Sequence, residues 1–317
     1  MPGSPLQRAA AAAAGALAVA QLPPLAARPL WARALLCALA AYLPSYLDGA
    51  ECRGAPLRSG AYSLWFRALA RRLLRRAFDI RDAVLEDAAA LSRCKQCILA
   101  VHPHGVLSLD HLLTVAGYDA GLEAALPQAR RCALSASVLF RLPLLREHLL
   151  LTGCVDASRK SADRCLEKGL SLSVVPGGER EQLLATRGPV ERLVLRRRQG
   201  FVKLALRHGV PIVPAYCFGE AQLYDQSRWC MGLRSWVQRT FGVALVMPYG
   251  HRGLPGVPHR TPVCTVVGAP LDMPRIEGTP TQAQVDEHHA RYVAEVERIF
   301  AQHKAAAGYP DVQLQLL

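Results

Sequence analysis

Short apolar runs closed by glycine or proline are what most constrain how this chain of 317 residues can fold. They read CILAVHP (Cys97–Pro103), LSLSVVPGG (Leu170–Gly178), VPIVPAYCFG (Val210–Gly219), VALVMPYG (Val243–Gly250) and TPVCTVVGAP (Thr261–Pro270). Runs of this length, rich in β-branched residues and bounded by turn formers, read as strands. Helical stretches lie between them, including Gly200–Arg207. A last helix from Thr281 to Lys304 carries Val285, His289, Tyr292, Val296, Ile299 and His303 along one side. Strands alternating with helices predict an α/β fold, a mostly parallel sheet flanked by helices on both faces. Reactive residues in such sheets sit just beyond the strand C-termini.

Residues 1–50 are built differently. They carry Arg8, Arg28 and Arg33 but no acid before Asp48. The chain is free of charge from Ala9 to Ala27 and again from Ala34 to Leu47. The first run is broken by Pro23 and Pro24, and the second is shorter than the roughly 20 residues that cross a bilayer. The expectation is a membrane-associated segment, a helical hairpin held in one leaflet. A transit peptide, which would direct the chain to a plastid, and a disordered alanine tract compete with it. Residues 51–96 follow as a basic amphipathic helix and linker. In LWFRALARRLLRRAF (Leu64–Phe78) Trp65, Leu69 and Leu73 recur every four residues beside Arg67, Arg71 and Arg75. That pattern suits a lipid surface, or a solvated helix packed on the body of the protein. Residues 97–317 form the expected catalytic domain.

The formal net charge of +13 favours anionic partners: nucleic acid, a membrane face or a phosphorylated small molecule. No zinc finger, RNA-recognition signature or aromatic-interleaved basic stripe supports nucleic acid. The ten cysteines have no framework spacing, which favours a reducing compartment. Cys94-x-x-Cys97 has no second pair to complete a zinc site, and it enters a strand rather than opening a helix.

The first strand ends in His102-Pro103-His104-Gly105. Pro103 biases His102 away from the helical region, and Gly105 permits a tight turn. A neutral imidazole held there can take a proton from an alcohol near neutral pH. Metal binding is the other sharp reading, with Asp110, His111 and His251 as further ligands to His102 and His104. It predicts a metal-dependent hydrolase. No later histidine or aspartate falls at a clear strand end, and His208 before Gly209 reads as a helix cap.

Several further blocks follow in order: FRLPLLREHLLLTGCVDASR (Phe140–Arg159), VVPGGEREQLL (Val174–Leu184), LRRRQGFVKLALRHGVPIVPAYCFGE (Leu195–Glu220) and TPVCTVVGAPLDMP (Thr261–Pro274). With His-Pro-His-Gly in front, the series closely resembles the type 2 diacylglycerol acyltransferase family, which includes monoacylglycerol and wax-alcohol acyltransferases. The resemblance runs from Trp65 to the C-terminus. It implies a glycerolipid-acyltransferase-like fold preceded by apolar membrane segments. It also implies transfer of an acyl group from acyl-CoA to the free hydroxyl of diacylglycerol, at the endoplasmic reticulum membrane and lipid droplets with the catalytic domain facing the cytosol. Acyl-CoA is then a co-substrate and no metal or other cofactor is expected. The partners are acyl-CoA, an acylglycerol, a bilayer and the droplet surface, and not nucleic acid. Nothing argues for or against a homo-oligomer.

The resemblance makes His104 the general base, with His102 orienting it or touching substrate. Backbone N–H groups around Gly105, Gly177 and Gly178 would meet the developing oxyanion. Glu181, not Glu179, matches the family's acid three residues after the second glycine and joins His104 and His102 as an expected catalytic residue. Arg196, Arg198 and Lys203 are the expected contacts to the acyl-CoA phosphates. Arg146 also matches a family position. Asp110 lies six residues after His104, one more than the His-x4-Asp of related glycerolipid acyltransferases. There is one departure: Ala77-Phe78-Asp79 stands where the family carries Tyr-Phe-Pro, which bears on the acceptor. Monoacylglycerol or wax-alcohol transfer, metal-dependent hydrolysis and a non-enzymatic membrane-surface scaffold remain the alternatives.

Overall fold

The run that begins at Cys97 becomes the buried strand from which the rest of the sheet is most easily followed. In the computed structural model, residues 29–53, 79–108, 120–126 and 131–317 are described, together with isolated positions between 65 and 72. They divide into two compact units, one ending at Gly49 and one spanning Ala50–Leu317.

In the first unit α1 (Leu30–Leu47) starts after Pro29, four residues ahead of the charge-free run, and takes in Trp31 and Arg33. None of its residues is buried. Its 18 residues extend about 27 Å at 1.5 Å per residue. With a mean hydropathy of 1.3 over an 18-residue window, it is long and apolar enough to cross a membrane. The earlier start accounts for the difference from the short segment expected. The Ala9–Ala27 run lies outside the described residues. So does most of the Leu64–Phe78 helix, whose Trp65 and Leu69 are helical and exposed.

The second unit is built on one eight-stranded sheet. Its strands are β1 (Asp79–Ile80), β2 (Val84–Leu85), β3 (Ile98–His102), β4 (Arg131–Ser135), β5 (Cys154–Asp156), β6 (Ser171–Val174), β8 (Ile212–Phe218) and β11 (Pro262–Val267). The order is β1-β11-β8-β3-β6-β4-β5, with β2 also on β11. β8 and β11 run antiparallel and every other pairing in this sheet is parallel. Two smaller pairs complete the strands: β7 (Val190–Leu193) parallel to β12 (Gln313–Leu316), and β9 (Asp225–Gln226) antiparallel to β10 (Pro248–Tyr249).

Alternation along β3 divides the core between two faces. Ile98 and Ala100 join one apolar cluster with Val202, Tyr292, Val296 and Ile299; Leu99 and Val101 join another with Leu91, Leu122 and Val213. The first face is covered by α5 (Arg159–Glu167), α7 (Gly200–His208) and α9 (Gln282–His303). The second is covered by α2 (Ala88–Arg93) and α3 (Ala120–Ala125). Burial on both faces explains why β3 reads as an unbroken apolar run. α9 begins where Thr281 caps it, in a reciprocal capping box with Gln284. Gly209, in the left-handed region, ends α7, and His208 pairs with Asp163.

The Val243–Gly250 run departs from expectation. Only Pro248–Tyr249 is strand, off the main sheet, and Leu245 and Met247 are exposed. The run is apolar, but here apolarity does not signal burial.

At the other side of the sheet, α4 (Leu145–Thr152) carries Arg146, which is 1% exposed. Its guanidinium donates to Glu51 Oε2 at 2.7 Å and Glu147 Oε1 at 2.9 Å. Arg164 and Lys168 donate to the Cys52 and Arg53 carbonyls, each at 2.6 Å. The segment at residues 50–53 is thus fixed on α4 and α5. Removing one partner from a buried ion pair leaves the rest uncompensated, so Arg146→Ala should cost about 3 kcal/mol. Arg146→Lys should recover only part, because an ammonium cannot fork to two carboxylates as a guanidinium does. Denaturation midpoints of the detergent-solubilised chain test this, and an unchanged midpoint in Arg146→Ala would refute it.

Candidate active site

β3 ends at His102, and the chain then turns through Pro103, His104 and Gly105. Gly105 has φ +61°, and a Cβ there would overlap the Glu220 carboxylate. Both facts require glycine.

The two histidines have different surroundings. His102 shares the parity of Ile98 and Ala100 and is fully buried. Its Nε2 lies 2.8 Å from the Tyr292 hydroxyl of α9, and the Tyr292 ring packs edge-on against Phe201. Burial pushes the His102 pKa down to about 3, so the ring is neutral at physiological pH. Burial also raises the Tyr292 hydroxyl pKa. His104 lies beyond the strand and keeps partial exposure. Its backbone N–H donates to Glu181 Oε1 at 2.6 Å, and its ring Nδ1 is 3.2 Å from the Gly105 carbonyl. A carbonyl only accepts, so this bond puts the neutral ring's proton on Nδ1 and the lone pair on Nε2. Burial lowers the His104 pKa, opposed by the Gly105 bond and the charge of Glu179.

Glu181 stands behind this turn, not beside the ring. It projects from α6 (Gly178–Leu184) and is 1% exposed. One carboxylate oxygen accepts from His104 N–H and the other from Val194 N–H at 2.7 Å. Burial raises its pKa to about 7 despite those two bonds and the nearby Arg198 charge. Gly177 crosses directly over it, and a Cβ there would overlap the carboxylate. From the same helix Gln182 donates to the Val106 carbonyl at 2.7 Å. Gly178 N–H is engaged by the Val175 carbonyl at 3.2 Å.

A cavity of about 700 Å³ opens at the same end of the sheet. Val174 and Pro176, at the end of β6, line it together with Arg159, Arg198, Lys203 and Arg207. Among the described residues no carboxylate lines it, and the first residue of α7, Gly200, borders it. Helix N-termini and guanidinium groups both favour phosphate. Arg198 links cavity and turn by donating to the Gly177 carbonyl at 3.2 Å.

His102, His104, Gly105, Gly177, Gly178 and Glu181 therefore come together, and Arg198 and Lys203 border the adjoining cavity. Arg196 does not line it; its Nε donates to the Leu316 carbonyl of β12. Sequence reasoning missed Arg159, Arg207, Tyr292 and Glu220. Glu220 had a signal, an acid directly after the glycine that ends a strand. Asp110 and His111 lie outside the described residues, and His251 occupies an exposed turn. Among the described residues no group of three or more His, Cys, Asp or Glu side chains could hold a metal ion.

Comparison with known proteins decides the family. The family model for diacylglycerol acyltransferase matches residues 36–317. The chain belongs to the type 2 diacylglycerol acyltransferase family. It is 35% identical to bovine (Bos taurus) diacylglycerol O-acyltransferase 2 over 274 residues, covering 82% of this chain and 74% of that protein. It is 36% identical to human acyl-CoA wax alcohol acyltransferase 2 over 229 residues, covering 68% of each. Identity to human 2-acylglycerol O-acyltransferase 3 is 32% over 269 residues, covering 80% of this chain and 77% of that protein. Acyltransferase is the chemistry common to these relatives.

The buried His102 makes a prediction about acid stability. Unfolded, a histidine binds a proton near pH 6.5; folded, His102 does so only near pH 3. Its contribution is complete above pH 6.5 and is lost as pH falls towards 3. His102→Gln should therefore flatten the stability profile between pH 6.5 and 4, relative to wild type, by about 3 kcal/mol. Parallel profiles would contradict the burial described.

Proposed function

We propose that this acyltransferase esterifies the free hydroxyl of a diacylglycerol with the acyl group of an acyl-CoA, releasing triacylglycerol and coenzyme A. The observation that carries the reading is a neutral imidazole with its Nε2 lone pair unprotonated, at the sheet end that also bears a basic cavity.

In this reading His104 Nε2 accepts the hydroxyl proton as the alcohol oxygen attacks the thioester carbonyl. The new C–O bond forms and the carbonyl electrons move onto oxygen. Collapse of that oxyanion breaks the C–S bond, and the thiolate takes the proton back from the imidazolium. One attack completes the transfer, so no covalent acyl-enzyme is needed. No step draws on a metal or prosthetic group, and acyl-CoA is a co-substrate. Gly105 and Gly177 are the assigned oxyanion donors; Gly178 suits the role less, since Val175 engages its N–H. Glu181 positions the turn through backbone bonds, and His102 backs it through Tyr292. Arg198 and Lys203, joined by Arg159 and Arg207, would face the coenzyme A phosphates.

We take diacylglycerol as the acceptor on the likeness to the bovine relative, which matches 82% of this chain against 80% for the 2-acylglycerol relative and 68% for the wax-alcohol relative. We place the enzyme at the endoplasmic reticulum membrane and lipid droplets, in the glycerolipid-acyltransferase fold group. An apolar α1 and ten free thiols fit a membrane enzyme in a reducing compartment.

One assay tests acceptor and cavity together. Labelled oleoyl-CoA is offered to membranes with equal diacylglycerol, monoacylglycerol and hexadecanol. Label should enter triacylglycerol first, and label entering diacylglycerol or wax ester instead would overturn the acceptor. Lys203→Ala with Arg207→Ala should raise the KM for acyl-CoA about tenfold with little change in kcat, the pattern of lost uniform binding. An unchanged KM would remove the phosphates from the cavity.

A further inference from the structure

A second concentration of exposed apolar side chains surrounds α8 (Met231–Phe241), which the mechanism does not use. Trp236 is 50% exposed, Leu233 58%, Phe241 64% and the preceding Trp229 70%. Leu233 and Trp236, three apart, share one face of the helix, and the Trp236 ring meets Phe241 edge-on at 5.7 Å. Leu245 and Met247 are exposed in the segment that follows. A soluble surface scatters such residues singly, and a rigid concentration of them marks a contact surface.

The helix is held firmly from behind. Arg234 is buried and donates to the carbonyls of Leu245 and Ser227 and to the Gln226 side chain. The exposed aromatic side chains therefore sit on a fixed support.

Charge indicates what covers them. Between Asp225 and Asp272 the chain has no acidic residue, while Arg228, Arg239 and Arg252 are exposed. Tryptophan concentrates at the water–hydrocarbon boundary, where its ring is buried and its N–H stays wet, and arginine meets lipid phosphates beside it. We propose that the α8 face is a membrane-contact surface of the catalytic unit, taking an anionic phospholipid leaflet. Trp229, Leu233 and Trp236 enter the interface, and Arg228 and Arg239 lie on the head groups. The inference deepens the reading of a lipid acceptor, since such an enzyme must meet its substrate at a lipid surface. Its primary test does not depend on that reading.

The test uses the full chain with Trp31→Phe and Trp65→Phe, which leaves Trp229 and Trp236 as the only tryptophans. It is reconstituted in vesicles of phosphatidylcholine and phosphatidylserine, either plain or brominated high on the acyl chain. Bromolipid should quench the emission by about half, and the emission should be blue-shifted, as for indoles at the interface. Equal emission in both vesicles would overturn the proposal. It is overturned equally whether a soluble quencher still reaches the indoles or a second protein copy shields them. Leu233→Glu with Trp236→Glu should then cut transfer to vesicle-embedded diacylglycerol about tenfold, while transfer to a water-dispersed short-chain diacylglycerol stays unchanged. Equal loss on both acceptors would contradict a membrane role. Absence of transfer in every arm, with bromolipid quenching intact, would fail the acyl-transfer reading and leave the surface standing.

Discussion

One buried carboxylate holds the reactive end of this fold together. Glu181 accepts the backbone N–H of His104 with one oxygen and that of Val194 with the other. It thereby ties the turn after β3 to the segment after β7. Burying a carboxylate is costly unless it is well hydrogen-bonded, and here both oxygens are used. The raised pKa of about 7 records the part of that cost the bonds do not offset. Gly177 must be glycine for the same reason, since its backbone passes where any side chain would strike Glu181. Gln182, one residue on, adds a second tether to the turn at Val106. A rigid turn then follows from packing.

Rigidity there lets two neighbouring histidines take different parts. His102 belongs to the strand, points to the α9 face and is spent on Tyr292. His104 lies past the strand, where its backbone answers Glu181 and its ring answers Gly105. Both are kept neutral by burial, but only His104 retains exposure and a free ring edge for a substrate hydroxyl. The basic cavity opens at this same end of β6 because the strands run parallel, which gathers their C-terminal loops on one edge.

Much of this was legible in the residues. The long helices were readable because their signals are local: Thr281 and Gln284 cap α9, and Gly209 stops α7. β3, β6, β8 and β11 announce themselves as apolar runs because both sheet faces are covered. β4, β5, β7 and β12 were not found, being short or interrupted by polar residues such as Arg131, Asp156 and Glu191; Glu191 meets its partner, Tyr216 of β8, only in the fold. The three arginines at 196–198 look alike in sequence. The backbone sends Arg196 to β12 and Arg198 to Gly177, and only the fold separates them. Arg159, Arg207 and Tyr292 reach the site by crossovers that no spacing encodes. The exposed run after α8 misled for the opposite reason, since apolarity there serves a surface.

The most direct test of the central claim is the turnover of His104→Ala with saturating acyl-CoA and diacylglycerol, measured beside His102→Gln at matched folded protein. Loss of a general base costs about 10²–10⁴ in rate, so His104→Ala should fall by that much with the KM for acyl-CoA unchanged. His102→Gln should keep the larger share of its activity. Turnover of His104→Ala within about tenfold of wild type, below what a general base contributes, would contradict the account and move the base elsewhere.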